Sequence, residues 1–311
     1  MAKNIRKSKR KFVITLLIFL AMTSAFAYIY FYIDNEITTL KTNKNYNSSL
    51  DYKSLVKIKT EELNKAQEEY AYFEKTEEQL SEVKNNYYKA LKELEDKVAN
   101  KEVNLKIAYL TFDDGPYYNT HKVLDILDEY DVKATFFTTS INGEKCYDNG
   151  KANCYELYQE YLKRGHTIAN HTYTHGIFNG LYRSVDTFMD AVIKQEEHIK
   201  EKTGGYITNI VRFPGGSPTA GRLKSGIITE LRNRGYGWVD WTANDGDGGN
   251  LKSTDQAWSN LKSSIDANIE VVLFHDYDKR TTAILPDVIK WLRSKNYILL
   301  PLFYESRMIN K

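Results

Sequence analysis

Hydrophobic and polar positions divide the chain into three stretches of different character. Residues 12–33 are mostly apolar and carry no charge, residues 34–104 are polar with a helical repeat, and residues 105–311 alternate short apolar runs with amphipathic stretches. Glycine and proline first occur at Gly115 and Pro116, and so only in the third stretch. Because these residues interrupt regular elements, we expect a helical front and a globular back that meet near residue 105.

The uncharged stretch at residues 12–33 is long enough to cross a membrane, since about 20 apolar residues span a bilayer. Residues 1–11 contain six basic residues and no acidic one, which predicts that they stay in the cytoplasm. The alternative is a signal peptide cleaved after Ala25-Phe26-Ala27. We expect the anchor, and therefore a single-pass cell-membrane protein whose C-terminal domain is extracytoplasmic.

Residues 34–104 are predicted to form a helical stalk. Between Leu63 and Val98 apolar side chains recur three and four positions apart, as in a long amphipathic helix or a coiled coil. Glu77 and Lys84 occupy two positions of that apolar seam. A spacer is therefore the favoured interpretation, and a homodimer formed through the stalk is the alternative.

Residues 105–311 alternate strand-like and helix-like segments, which predicts βα units and a mainly parallel sheet. The number of these units in about 200 residues favours a barrel over an open sheet, and in such barrels the chemistry gathers where strands end. Seven strands are predicted, at residues 106–112, 133–139, 167–170, 209–213, 236–241, 270–274 and 297–301.

Two of the predicted strands end in candidate metal ligands. Asp113 and Asp114 follow the first strand, where one carboxylate can bind a metal while its neighbour acts as a base. His171 and His175 follow the third strand with the spacing of two ligands on one helical turn. One aspartate and two histidines would leave a fourth position open, as in catalytic zinc sites. Taken singly, each pair also fits a capped turn or a solvated histidine pair.

Three further strands also end in polar side chains. Arg212 ends the fourth, and an arginine there can hold a carboxylate through two hydrogen bonds. Asp240 and Trp241 end the fifth. His275 ends the sixth, a suitable place for a general acid whose pKa a neighbouring carboxylate sets. Trp241 and Leu273 equally fit a plain apolar core.

In this order the motifs resemble those of the polysaccharide deacetylase family, carbohydrate esterase family four, with its NodB-homology domain. T-F-D-D-G-P at residues 111–116, H-T-x-x-H at 171–175 and L-x-H at 273–275 are complete. The chain departs from the family at Gly215, where an aromatic residue is usual, and at Gly237, where an aspartate is usual. Across residues 105–311 the resemblance implies an α/β fold, an incomplete (β/α)7 barrel, here preceded by a transmembrane helix and the stalk.

The resemblance also implies how the central residues divide the chemistry. Asp114, His171 and His175 would bind a divalent metal, zinc in the first place and cobalt or nickel otherwise. Asp113 would be the general base that takes a proton from the attacking water. His275 would be the general acid that protonates the departing amine.

Five further residues receive supporting roles from the same resemblance. Arg212 would orient the base, and Asp240 would orient the acid. Trp241 and Leu273 would line the slot for the acetyl methyl group. Gly215 keeps the backbone N–H that would contact the oxyanion, although a glycine removes one wall of the substrate groove.

Two features lie outside these motifs. Cys146 and Cys154 are the only cysteines, and an isolated pair outside the cytoplasm predicts a disulfide. The Asp245-Gly246-Asp247-Gly248-Gly249 loop is too short for an EF-hand calcium loop, so we expect a flexible rim of the substrate groove. The net charge of +2 gives no reason to expect nucleic acid as a partner.

The expected function is N-deacetylation of an acetylated sugar polymer. N-acetylglucosamine in peptidoglycan is the first choice, because an anchor and a stalk would place the site in the cell wall, and another envelope glycan is the second. An O-acetyl polysaccharide esterase is an alternative enzyme class. A non-enzymatic wall-binding scaffold is disfavoured, since the metal ligands, base and acid are all present.

Overall fold

The computed structural model describes residues 89–144, 154–206, 208–303 and 306. The expected membrane span, most of the stalk and Cys146 lie outside these residues, so the anchor and the disulfide to Cys154 stay predictions. Within the described residues no helix is long and apolar enough to span a membrane. Residues 89–99 are helical, and a compact unit begins at Ile107.

One curled sheet of eight strands carries the domain. Its order is β5-β4-β3-β2-β1-β7-β6, with β8 paired to β1 off this path. Neighbours along the path pair in parallel, as expected for βα units. The strands are β1 (Lys106–Asp113), β2 (Thr135–Thr138), β3 (Thr167–Asn170), β4 (Ile210–Val211), β5 (Gly237–Trp238), β6 (Ala243–Asn244), β7 (Ile269–His275) and β8 (Tyr297–Leu299).

Helices lie between strands, as the alternation of segments predicts, and one short helix at Ser140–Glu144 is additional. Serine or aspartate side chains cap three of them, because Ser184, Ser253 and Asp278 accept the N–H groups of residues two or three positions on. The helices are α1 (Thr120–Glu129), α2 (Ser140–Glu144), α3 (Glu156–Lys163), α4 (Val185–Thr203), α5 (Lys224–Asn233), α6 (Thr254–Ser264) and α7 (Lys279–Ser294).

The strand predicted at residues 236–241 is shorter than expected: β5 covers only Gly237–Trp238, and a separate short strand, β6, follows it at the other end of the sheet. The N–H of Val239 still donates to the carbonyl of Val211 at 3.0 Å, whereas the N–H of Thr242 donates to Val271 on β7 at 2.9 Å. The few residues between β5 and β6 therefore cross from one end of the sheet to the other. Because these residues span at most roughly 17 Å at full extension, the two ends of the sheet must lie within that distance of each other. The sheet therefore curls into an incomplete barrel.

The core between the sheet and the helices is aromatic at its centre. Phe112, Phe136 and Phe274 lie side by side on three neighbouring strands, and the Phe112 ring stacks on the other two at 5.1 and 5.6 Å. Tyr161 of α3 stacks on Phe136 at 4.3 Å. These fully buried rings set the position of β1, and with it the position of the carboxylates that follow.

Phe136→Ala should lower the free energy of unfolding by about 3–5 kcal/mol, because it removes a buried ring and leaves a cavity. Phe178→Ala is the matched control, since Phe178 is 99% exposed and its loss should change stability by less than about 0.5 kcal/mol. Urea denaturation of both variants measures the difference. Equal losses would contradict the assignment of the core.

Candidate active site

Arg212 is a fully buried arginine at the end of β4 that joins three parts of the sheet. Its Nη1 donates to Asp113 Oδ1 at 2.8 Å and to the hydroxyl of Thr111 at 2.7 Å. Its Nε and Nη2 donate to the carbonyls of Val239 and Asp240 at 3.2 and 3.0 Å. Burial lowers the pKa of Arg212, and the adjacent Asp113 carboxylate opposes that shift. The predicted contact between Arg212 and Asp113 is thus present.

Asp114, His171 and His175 converge as the sequence predicts. The Nε2 atoms of both histidines lie 3.6 Å from Asp114 Oδ1, and one ligand atom from each residue falls within 4.8 Å of the others. Ligands bound tetrahedrally at about 2.1 Å from one ion lie about 3.4 Å apart. Asp114 Oδ1 is buried and has no hydrogen-bond partner among the described residues. The three residues therefore fit a divalent metal.

The surroundings of His171 suit a metal ligand. Its Nδ1–H donates to the carbonyl of Arg212 at 2.8 Å, which leaves the Nε2 lone pair facing Asp114. Burial lowers the pKa of His171 to about 4, although the nearby Asp113 charge acts in the opposite direction. The imidazole is consequently neutral at physiological pH, as ligation requires.

The backbone around these ligands is strained. Asp114, Thr172 and His175 have φ values of 70°, 64° and 51°, a region that L-residues seldom adopt. Such conformations cost about 1–3 kcal/mol each and gather at functional sites. Here they turn the side chains that follow β1 and β3 toward one another.

His275 stands at the end of β7, in register with Asp113 on β1. Its Nδ1–H donates to Asp247 Oδ1 at 2.7 Å, its backbone N–H donates to Asp247 Oδ2 at 2.6 Å, and its Nε2 lies 3.9 Å from Asp114 Oδ2. Burial acts to lower the pKa of His275. The hydrogen bond and charge of Asp247 outweigh it, with help from Asp114 and Asp113, and raise that pKa to about 9. The ring therefore holds a proton at neutral pH.

This contact corrects the predicted pairing of Asp240 with His275. The Asp240 carboxylate instead accepts the N–H and the hydroxyl of Ser217 at 2.7 and 2.6 Å, and so supports the loop after β4. Sequence reasoning missed Asp247 because the two-residue strand β6 was not predicted. That strand brings the loop of Asp247 beside the end of β7.

The same loop, which the sequence suggested to be a flexible rim of the substrate groove, is partly buried beside His275, while Gly248 and Gly249 are exposed. Asp245 and Asp247 are buried, and the Asn260 side chain donates to the Asp245 carbonyl at 2.9 Å. A Cβ on Gly248 would come within 2.9 Å of the His275 ring, so glycine is needed for this close approach. Asp247 and Gly248 of this loop thus support His275, and the loop's role as a rim of the substrate groove stays a prediction.

The expected substrate-binding residues are placed as follows. Leu273 lies in register with Thr111, two residues before Asp113 on β1, and is 8% exposed. The Trp241 ring lies 6.0 Å from the Arg212 guanidinium. Gly215 has a φ of 73°, and a Cβ there would meet Ile177 at 3.1 Å. Their roles toward the acetyl group and the oxyanion stay predictions.

A buried carboxylate, a three-ligand metal set and a protonated histidine occupy one edge of the sheet. Asp113 and His275 approach the candidate ligand set from neighbouring strands, and His275 carries a transferable proton at neutral pH. A base and an acid around a carbonyl-polarising centre are what hydrolysis of an acyl group requires. Fold and site thus define a hydrolase of acyl groups.

Comparison with known proteins agrees with this class. The polysaccharide deacetylase profile matches residues 100–234. A peptidoglycan-N-acetylglucosamine deacetylase from Bacillus cereus is 30% identical over 197 residues, which cover 62% of this chain and 67% of the relative. A chitin deacetylase from Colletotrichum lindemuthianum is 31% identical over 198 residues, 60% of this chain and 74% of the relative.

A solved structure is similar over the same part of the chain. The catalytic domain of a peptidoglycan N-acetylglucosamine deacetylase from Eubacterium rectale superposes with a TM-score of 0.59 at 34% identity, covering 66% of this chain and 92% of that domain. The chain belongs to the polysaccharide deacetylase family. It is accordingly a hydrolase acting on carbon–nitrogen bonds other than peptide bonds.

Asp247→Asn should shift the alkaline limb of the pH–rate profile to lower pH by more than about one unit. Without the Asp247 charge, burial lowers the pKa of His275, so the ring loses its proton at a pH where the native protein keeps it. Acetate release measured between pH 6 and pH 10 tests this.

Asp240→Asn is the matched control. It should leave the alkaline limb in place whatever it does to the rate, because the Asp240 carboxylate holds Ser217 and not His275. If the alkaline limb moved in Asp240→Asn and stayed in place in Asp247→Asn, the result would support the pairing of Asp240 with His275 that the sequence predicts.

Proposed function

We propose that the protein is a metal-dependent N-deacetylase that removes the acetyl group of N-acetylglucosamine in peptidoglycan or another envelope glycan. The observation that carries the proposal is the separation of two proton-transfer groups, with an ion-paired carboxylate and a protonated histidine on neighbouring strands beside one metal-ligand set. Hydrolysis of an unactivated amide needs both groups at once.

Asp113 acts as the general base. Its Oδ1 accepts from Arg212, and its Oδ2 lies 3.5 Å from His171 Nε2, so the second oxygen faces the ligand set. The buried guanidinium compensates the buried negative charge, which keeps the carboxylate available as a proton acceptor. Asp113 Oδ2 takes the proton of the attacking water as the water oxygen bonds to the acetyl carbon.

Asp114, His171 and His175 hold a divalent metal, with zinc as the first choice and cobalt or nickel as alternatives. A metal there supplies Lewis-acid polarisation of the acetyl carbonyl and increases the acidity of the attacking water. Three protein ligands leave room for the substrate, as in catalytic rather than structural zinc sites.

His275 acts as the general acid. An amine anion is a poor leaving group, so the sugar nitrogen must gain a proton as the carbon–nitrogen bond breaks. With Nδ1–H committed to Asp247, the Nε2–H is the proton that His275 can donate, and its raised pKa keeps that proton available at neutral pH. The reaction thereby consumes one water molecule and gives acetate and the free amine.

The choice of substrate has two supports. Similar proteins act, by their names, on peptidoglycan N-acetylglucosamine and on chitin. The predicted anchor at residues 12–33 and stalk at residues 34–104 would hold an extracytoplasmic catalytic domain near the wall. A homodimer formed through the stalk stays a prediction.

Acetate release from purified peptidoglycan should exceed release from O-acetylated xylan by at least about tenfold in kcat/KM. Asp113→Asn and His275→Ala should each abolish release, because each removes one of the two proton transfers, and both should still bind one metal per chain. Enzymatic assay of acetate and metal analysis of the same samples measure this.

The alternatives predict different outcomes. An O-acetyl esterase would prefer xylan, and a non-enzymatic wall-binding scaffold would release no acetate from either polymer. Full activity in either variant would refute the assignment of base and acid.

A further inference from the structure

A second aspartate lies behind the one that holds His275. Asp245 is fully buried and Asp247 is 4% exposed, and both point at the hydroxyl of Thr281 in the first turn of α7. Thr281 Oγ1 lies 2.7 Å from Asp245 Oδ2 and 2.8 Å from Asp247 Oδ2. Asp245 takes no part in the proton transfers assigned to Asp113 and His275.

The hydrogen bonds around Thr281 require one proton more than the hydroxyl owns. A threonine hydroxyl has one proton and ionised carboxylates have none, so Thr281 can donate fully to only one of its two neighbours. The other short contact needs a proton on a carboxyl oxygen. If both carboxyls were ionised, two like charges would be buried on a single donor, which is costly.

The other contacts decide which carboxyl carries the proton. Asp247 already accepts the Nδ1–H and the backbone N–H of His275, at 2.7 and 2.6 Å. Asp245 accepts the longer hydrogen bond from the N–H of Asp247, at 3.1 Å on Oδ1, besides its contacts with Thr281 and with the Asp247 carboxyl. The proton therefore sits on Asp245 Oδ2, Asp245 donates to Thr281, and Thr281 donates to Asp247.

The charged surroundings agree with this placement. Burial, and then the charge of Asp247, raise the pKa of Asp245 to about 8. The guanidinium of Arg280 on α7 is committed to Asp278. From α6 only the neutral Asn260 amide contacts Asp245, at its carbonyl, and protonated His275 lies beyond Asp247.

We propose that Asp245 is a neutral carboxylic acid that positions the catalytic histidine through the chain Asp245–Thr281–Asp247–His275. Its proton turns the Thr281 hydroxyl toward Asp247, so that every donor around Asp247 points at one ionised carboxylate. That carboxylate then holds the His275 ring in one orientation with Nδ1 protonated. The protonation state stands independently of the proposed function, whereas its effect on the rate rests on His275 being the acid.

Infrared spectroscopy tests the protonation state directly. At pH 7 the difference spectrum between the native protein and Asp245→Asn should contain a protonated carboxylic acid carbonyl band that shifts on transfer to heavy water. Buried Asp276 is present in both proteins and cancels in the difference. A difference spectrum with ionised carboxylate bands alone would overturn the proposal, and this readout needs no catalytic activity.

Matched variants test the consequence for catalysis. Asp245→Asn keeps a neutral donor to Thr281, so its kcat should stay within about threefold of native, with the alkaline limb in place. Asp245→Ala and Thr281→Val break the chain, and should lower kcat by at least about tenfold with little change in KM. Thr281→Ser keeps the hydroxyl, so its kcat should be close to that of the native protein and above that of Thr281→Val.

The decisive result is the comparison between Asn and Ala at position 245. Suppose that Asp245→Asn has the same melting temperature as the native protein and yet loses as much activity as Asp245→Ala. Asp245 would then act as an anion, and the proposal would be wrong. If the native enzyme releases no acetate at all, the proposed function fails while the infrared result still decides the state of Asp245.

Discussion

The candidate site depends on the ion pair and hydrogen bonds that the buried guanidinium of Arg212 makes. Removing a charge from water is expensive, and the structure offsets this cost with the Asp113 carboxylate, the Thr111 hydroxyl and two backbone carbonyls. Those partners belong to β1 and to the segment that crosses between the two ends of the curled sheet. The Arg212 carbonyl in turn accepts from His171. One residue thus places the Asp113 carboxylate, secures the crossing segment and orients His171.

Two histidines of the candidate site have pKa values that the fold shifts in opposite directions. The Nδ1 of His171 donates to a neutral carbonyl, and burial lowers its pKa to about 4. The Nδ1 of His275 donates to the Asp247 carboxylate, which overcomes burial and raises that pKa to about 9. Between these values, and so at neutral pH, the His171 ring is neutral and suited to bind a metal, whereas the His275 ring is protonated and suited to donate a proton. The partner of a single ring nitrogen decides which role each histidine takes.

Much of this site could be predicted because parallel strands bring their carboxyl ends to one edge. That rule places Asp113, Asp114, His171 and His275 together without knowledge of any contact, and the alternation of patterns predicts helices between the strands. The identity of the His275 partner could not be predicted in this way. Asp247 lies 28 positions from His275 in a glycine-rich loop, and the two-residue strand that brings it there has no hydrophobic pattern to reveal it. Short irregular segments are fixed by tertiary hydrogen bonds, which sequence periodicity does not report.

The central claim is that Asp114, His171 and His175 form a metal centre on which amide hydrolysis depends, with Asp113 and His275 as its proton-transfer groups. A titration of metal-free protein with zinc, with acetate release from an N-acetylglucosamine oligomer followed at each addition, tests this claim most directly. We predict a rise in activity that is linear in zinc and ends at one equivalent per chain. Full activity in the metal-free protein, or none after one equivalent of zinc, cobalt or nickel, would contradict it.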